Sequence, residues 1–542
     1  MIKVIPLSSL YKVFSDEPPK AEPFTKLSCM KNEKVQLQVA FCSDTDCDID
    51  IAVSSKIKDN INLYWVEEIY SKNPTAVLQD NYTLRKKAGY FPELLRPLET
   101  SFKAKAGLWN SVWLEIIPSP TLNAGEQNIA VTFTCGDAQE KAEFTLDIID
   151  AELPPQTLIN TNWFHTDCIA VHYNIDVFSD KYWEYVKNFL QVATDYGMNM
   201  VLTPIFTPPL DTKVGGERPT VQLVGVKVVN GEYLFDYSAL DKWIEICDEV
   251  GIKYFEISHF FTQWGAKKCP KIMAEVDGVQ KRIFGWDTKA SGKKYRKFLT
   301  DFAASFKPYM NAKGIADRVY FHVSDEPFTA VIRHYKKASN IISELFGDYK
   351  IMDALSNFKF YKKGLVKLPV PANDHIEAFI GNVPELWTYY CCAQVKNVSN
   401  KFFSMPSQRN RVLGYQMYKF DIKGFLHWGY NFWFKQFSVG PVDPFTETDA
   451  GGNFPSGDSY VVYPGENGKP LQSLRLKVFY DSFQDMRALQ LLESLIGKER
   501  TMQILEEGIE PITFSNYPHS DEWQLSTREK INAAIKAAIQ KQ

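Results

Sequence analysis

The apolar residues of this chain keep two different rhythms, and the change falls at two consecutive prolines, Pro154 and Pro155. Before them the period is two. Val35, Leu37, Val39 and Phe41 alternate with polar neighbours, as do Ile49, Ile51 and Val53. The pattern returns at Val112, Leu114 and Ile116, at Ile129, Val131 and Phe133, and at Phe144, Leu146 and Ile148. A period of two sends successive side chains to opposite faces, so repeated strands of this kind predict an antiparallel β-sandwich over residues 1–150. Consecutive prolines cannot continue a sheet ladder, which makes 150–156 a linker.

Beyond the prolines, short apolar runs alternate with amphipathic helices. The strands are expected at 158–165, 200–207, 253–258, 318–324, 350–356, 375–380, 386–391 and 424–428. Leu240, Trp243, Ile244 and Cys247 fall at i, i+3, i+4 and i+7, with Gly251 placed to end the helix. Tyr295, Phe298, Leu299, Phe302 and Phe306 repeat the spacing before Pro308, and a helix from about Ser179 closes at Gly197. Eight such units predict a (β/α)8 TIM-type barrel over 151–497. A doubly wound open sheet is the rival, but no glycine-rich phosphate turn follows the first strand. Two further helical patterns make 498–542 a short C-terminal helical segment. A length of 542 residues suits such a multidomain chain.

Charge and cysteine usage narrow the function. A net charge of -4 offers no basic excess to neutralise a phosphate backbone, which argues against nucleic acid. No apolar run reaches the roughly 20 residues of a membrane helix. The first residues lack a basic stretch followed by an apolar core, so no signal peptide is expected. The nine cysteines are scattered, which suits reduced thiols and a cytoplasmic setting. The spacings of zinc proteases, serine-hydrolase elbows and Walker loops are missing, and His165, His172 and His322 form no recognisable ligand set. No metal and no cofactor is expected. Cys391 and Cys392 end a buried-looking strand, a poor place for a nucleophile.

The sharpest local signal is the run from Val319 to Pro327, an apolar strand that ends in Asp325 and Glu326. In a barrel the C-terminal ends of the strands form the active-site face. Two carboxyl groups there supply a proton donor and a charged group to stabilise or steer attack, the needs of glycoside hydrolysis. The plain alternative is that Ser324 or Asp325 caps a helix with Pro327 in its first turn. A second cluster, Phe425 to Trp433, ends the eighth strand. Trp428 could floor a sugar subsite and Asn431 bond a hydroxyl. Tyr389 and Tyr390 on the seventh strand, and Trp163 and His165 on the first, complete the expected substrate-binding set. The irregular loop 441–457 suits binding or gating.

Taken together, Ser324 to Pro327, Trp428 to Trp433, Gly457 to Gly465, Ser473 to Leu476 and Asp485 to Leu489 resemble the family 123 glycoside hydrolases. The resemblance covers nearly the whole chain, since that family also sets a β-sandwich before a barrel. It implies a β-N-acetylgalactosaminidase-like enzyme acting on an oligosaccharide or glycoconjugate by substrate assistance. The 2-acetamido oxygen then attacks the anomeric carbon, Asp325 holds the acetamido nitrogen, and Glu326 is the general acid and later the base. Tyr480 and Ser482 depart from the commoner arginine-and-glycine version of the last helix, and the expected lack of a secretion signal favours an imported oligosaccharide. Two other readings stand beside this one. The first is a retaining β-glycosidase with Glu377 or Asp353 as nucleophile. The second is a non-catalytic carbohydrate-binding protein, with Trp65, Trp109 or Trp113 exposed on the sandwich.

Overall fold

The structure, a computed structural model, describes residues 1–119 and 122–541. Before the prolines, five strands of a seven-stranded sheet lie face to face with a five-stranded sheet. The five expected strands form at Val35–Ser43, Cys47–Ser54, Trp109–Ile116, Gly125–Cys135 and Ala138–Ile149. Leu37, Val39 and Phe41 of one sheet meet Ile51, Val131 and Phe133 of the other in a shared apolar core. Among the described residues one pairing in these sheets is parallel, Lys26–Met30 beside Ala138–Ile149.

The seven-stranded sheet also recruits from far along the chain. Val462–Pro464 and Pro470–Ser473 form a hairpin whose second strand pairs with Gly89–Pro97. The segment expected to be wholly barrel, 151–497, therefore lends two strands to the sandwich; each is too short for its alternation to show in sequence. The outer face of the sheet is covered as well. There Glu115 is buried, and it accepts hydrogen bonds from Tyr196 at 2.6 Å and Gln36 at 3.1 Å, with the Lys477 ammonium 2.6 Å away. A buried carboxylate needs such partners, and here they fasten sandwich to barrel.

After the prolines come β1 (Ile159–Asn162), β2 (Met200–Thr203), β3 (Tyr254–Ile257), β4 (Val319–Phe321), β5 (Lys350–Ala354), β6 (Leu368–Val370), β7 (Trp387–Tyr389) and β8 (Gly424–His427). All pair in parallel, in the order β6-β5-β4-β3-β2-β1-β8-β7. The two end strands meet through a parallel bridge between Ala372 and Tyr389, so the sheet curls almost into a closed barrel. Met200, Leu202, Tyr320, Met352, Trp387 and Leu426 fill its interior.

Outside it lie α1 (Asp180–Asp195), α2 (Ser238–Val250), α3 (Lys293–Ala312) and α4 (Ile332–Phe346). The Ser179 hydroxyl caps α1 by accepting the Tyr182 N–H, and Gly251, at φ 90°, ends α2. Pro308 lies inside α3. The helix runs on to Ala312 because Phe306 and Met310, on either side of the proline, are both buried. That burial outweighs a lost backbone bond.

The sixth strand is a second correction. Residues 375–380 form a single turn, Ile376–Ala378, in which Ile376 and Phe379 are buried three apart and Glu377 is exposed. The true strand, β6, contains Pro369, which masks it in sequence; β6 lies at the seam with β7, where the ladder is reduced to one bridge. A four-stranded sheet over 225–284 also rises from the loops after β2 and β3.

The chain ends in α5 (Leu474–Ile496), α6 (Lys498–Leu505) and α7 (Asp521–Ile539). Arg528 of α7 donates to Glu33 of the sandwich at 2.6 and 2.7 Å and to Asp485 of α5 at 2.6 Å. Among the described residues no helix is long and apolar enough to cross a membrane.

Candidate active site

Beyond β4 the chain does not enter a helix. Ser324 donates its hydroxyl to the Thr262 carbonyl at 2.8 Å, and the next helical turn starts only at Thr329. Helix capping therefore does not account for Asp325 and Glu326. Asp353 at the end of β5 draws the segment inward by accepting the Val323 and Ser324 N–H groups at 2.9 and 3.3 Å. The Glu326 N–H then donates to the Ala354 carbonyl at 3.0 Å, and the Trp264 N–H to the Asp325 carbonyl at 2.8 Å. Glu326 itself stands at φ 40°, in the left-handed region that side chains avoid. In a regular strand two adjacent side chains diverge; this left-handed residue removes the alternation, and both acids line one cavity.

The cavity holds about 220 Å³, below the roughly 300–1,000 Å³ of pockets for drug-sized ligands and suited to a single sugar ring. Its walls are largely aromatic. Trp163, Tyr389 and Trp428 line it, with Trp264 and Phe454. Trp163 is fixed by its Nε1–H to Glu256 at 2.7 Å, and Trp428 by its Nε1–H to Asp458 at 2.9 Å. Such faces suit the C–H surface of a pyranose.

Electrostatics separate the two acids. Burial, the Glu326 charge and the nearby Asp353 and Asp211 carboxylates push Asp325 well above the usual carboxylate range. Among the described residues its carboxylate receives no hydrogen bond. Burial raises Glu326 too, but the Tyr389 hydroxyl donates to its Oε1 at 2.5 Å and pulls it back. Beneath them His322 lies buried between Glu256, at 2.7 Å, and Asp353, at 3.1 Å. Burial works against a charged ring, yet these two bonds prevail and push His322 up to about 9. Tyr335 donates to the other Asp353 oxygen. A cationic His322 thus underlies the acid pair and is held on both sides.

Six of the eight residues expected from sequence line this cavity: Asp325, Glu326, Trp163, His165, Tyr389 and Trp428. Asn431 and Tyr390 do not. Asn431 is fully buried and clamps the His165 backbone, accepting its N–H at 2.8 Å and donating to its carbonyl at 3.1 Å. Tyr390, next to Tyr389, points to the opposite side of β7 and packs on Phe425 and His427. His165 has both nitrogens engaged. Arg218 donates to Nδ1 at 3.1 Å, so Nε2 carries the proton and donates to the Trp428 carbonyl at 2.9 Å. Burial and the Arg218 charge hold it down to about 3, so the ring is neutral.

Several site residues escaped the sequence reading. Gln263 and Trp264 follow β3 and could have been found by applying the strand-end rule to that strand as well. Gln436 and Asp211 sit far out on loops and carry no local signature. Asp211 accepts the Phe437 N–H at 2.9 Å, its carbonyl accepts the Ser438 hydroxyl at 2.7 Å, and burial pushes it up to about 6. Among the described residues it is the third carboxylate lining the cavity.

The alternative nucleophiles fare differently. Glu377 is exposed and lines no part of the cavity, and Asp353 is spent on His322, Tyr335 and two backbone N–H groups. The exposed sandwich platform is not there either. Trp113 is fully buried with its Nε1–H on Gln36, Trp109 is buried, and Trp65 packs half-buried on Phe102. His259, His322 and Asp353 come close enough to hold a metal ion. However, the two imidazoles stack at 4.1 Å and 25°, and both His322 nitrogens already bond carboxylates, so their lone pairs cannot converge on one ion.

Residues 163–492 match the family model described as Glycoside hydrolase 123, catalytic domain. No curated protein matches the chain. Among solved structures, a family 123 glycoside hydrolase from Clostridium perfringens, described for glycolipid glycan hydrolysis, aligns with a TM-score of 0.77 at 15% identity. That alignment covers 100% of this chain and 98% of the other. A β-glucuronidase from Parabacteroides merdae, covering 84% and 50%, has a TM-score of 0.31 at 11% identity. A family 20 exo-β-N-acetylglucosaminidase from Vibrio harveyi, covering 99% and 98%, has a TM-score of 0.29 at 6% identity. The last two are too loose to build on.

Proposed function

The chain belongs to glycoside hydrolase family 123, and from that premise we propose a retaining, substrate-assisted enzyme of the β-N-acetylgalactosaminidase type. Its fold is read as a β-sandwich before a (β/α)8 barrel, and its substrate as an oligosaccharide or glycoconjugate ending in a 2-acetamido sugar. A glycolipid glycan, the substrate class of the Clostridium perfringens relative, falls within that range.

The observation that carries the reading is the pair Asp325–Glu326 on one sugar-sized cavity, Asp325 receiving no hydrogen bond on its carboxylate among the described residues and Glu326 held by Tyr389. Asp325 accepts the acetamido N–H. The acetamido oxygen attacks the anomeric carbon as Glu326 protonates the departing glycosidic oxygen, leaving an oxazolinium ion. Glu326 then takes a proton from water, which opens that ring with net retention. No protein nucleophile is needed, an exception to the usual two-carboxylate scheme.

Burial and neighbouring charges raise both acids, and sugar binding decides which of them holds the proton. An amide N–H on Asp325 stabilises its charged form, and the proton passes to Glu326, where the glycosidic oxygen waits. A conventional nucleophile would have to be Asp211, the remaining cavity carboxylate among the described residues, one oxygen of which is already bonded to the Phe437 N–H.

Glu326→Gln tests the assignment. Turnover of an aryl 2-acetamido-glycoside should fall about 10²–10⁴-fold, the typical worth of general acid–base catalysis. Azide, which attacks without a general base, should restore turnover and yield the β-glycosyl azide. Unchanged turnover in the variant, or an α-azide, overturns the scheme.

A further inference from the structure

One wall of the cavity carries a pair of groups that hydrolysis does not use. Cys391 and Cys392 follow β7, both are free and half-buried, and both line the cavity beside Tyr389. Adjacent residues of a continuing strand would face apart. Here β7 stops at Tyr389 and the chain turns at Cys392, so both residues line the same cavity. The turn is fixed on both sides. The Cys391 N–H donates to Gln394 Oε1 at 2.9 Å, and the Cys391 carbonyl accepts Asn400 Nδ2 at 2.9 Å.

Two thiols on one cavity wall make a good chelate. The Cys392 contact, burial and the Glu326 and Asp458 charges push the Cys391 thiol well above its ordinary range. Single-site alkylation, which needs a thiolate, is thereby slowed. Soft electrophilic centres that accept two sulfurs at once are favoured. We propose that Cys391 and Cys392 form a dithiol ligand site in the wall of the sugar cavity, which takes trivalent organoarsenicals as a two-sulfur chelate and thereby closes the cavity to sugar.

The chemistry balances without electron transfer. Two As–S bonds form and the As=O bond of an arsine oxide is lost. The two thiol protons leave with its oxygen as water, and arsenic stays trivalent. In a cavity of about 220 Å³ an arsenic atom with its organic group leaves no room for a pyranose ring.

The test uses the full-length chain with phenylarsine oxide as probe. Cys47 and Cys135 of the sandwich are also free and half-buried and compete for the same probe, so the background carries Cys47→Ser. Intact mass should show one phenylarsine adduct, mapped to the peptide holding residues 391 and 392. Turnover should be lost, restored by 2,3-dimercaptopropanol and not by excess monothiol. Cys392→Ser should form no chelate and keep its own starting activity in the presence of the probe. N-acetylgalactosamine should slow adduct formation in the background protein, a reading that stands even if Cys392→Ser does not fold. A missing adduct, an adduct on other cysteines, an equally sensitive Cys392→Ser, or full turnover with the chelate in place overturns the proposal. The adduct is read by mass, so failure of the proposed glycosidase activity remains distinguishable from failure of the dithiol site.

Discussion

Replacing Tyr389 by phenylalanine removes one hydroxyl, and with it the 2.5 Å hydrogen bond to Glu326 Oε1. That bond favours the carboxylate form of Glu326, since the hydroxyl can only donate to it. A hydrogen bond to a charged group contributes about 1.5–3 kcal/mol, and a pKa unit corresponds to about 1.4 kcal/mol. The full loss would raise Glu326 by about one to two units; water entering the open cavity replaces part of the bond, which leaves about one. In the proposed scheme Glu326 works protonated once sugar is bound, so the alkaline limb of kcat, which reports the enzyme–substrate complex, follows its proton loss. Tyr389→Phe should therefore move that limb up by about one unit and extend activity to higher pH. The acidic limb, set by Asp325, should move much less. The assay is the pH profile of kcat on an aryl 2-acetamido-glycoside for both proteins. An alkaline limb that stays put or moves down refutes the reasoning, because the hydroxyl would then serve the substrate and not the acid.

Two further outcomes follow from buried charges. Arg475 is held by Glu93 at 2.6 and 2.8 Å and by the Gly457 and Tyr460 carbonyls, all buried, so Arg475→Met should cost about 3–5 kcal/mol in urea unfolding by stranding Glu93. His322 stands at about 9 folded against 6.5 unfolded, so its contribution is full below about 6.5 and fades as pH rises through 9. The unfolding free energy should thus fall by up to about 3 kcal/mol across that window, and a His322→Gln variant should lack the fall.

How far the fold could be read depended on how long each pattern ran. The sandwich strands show three or four alternating residues, and the helices ending at Gly197 and Gly251 show both a stripe and a stop. Signals shorter than that were lost. The hairpin 462–473 and strand β6 are three or four residues each, and Pro369 disguises the latter. At the site, the strand-end rule pointed to Asp325, Glu326 and Trp428 because each follows an apolar run at the C-terminal face. It could not separate Tyr389 from Tyr390, since which of two neighbours faces inward is a matter of register. Asn431 has the chemistry of a sugar ligand, but its place is set by the His165 backbone. Asp211 and Gln436 reach the cavity only through loop packing, and loop packing leaves no periodicity in a sequence.

The most direct test compares aryl β-N-acetylgalactosaminide with aryl β-galactoside, using the natural protein and Asp325→Asn. Substrate assistance by this acid pair predicts cleavage of the acetamido sugar alone, with a loss of about 10²–10³-fold on substitution, as when one preorganised electrostatic partner is removed. Comparable cleavage of both sugars, or an Asp325→Asn variant as active as its parent, would contradict it.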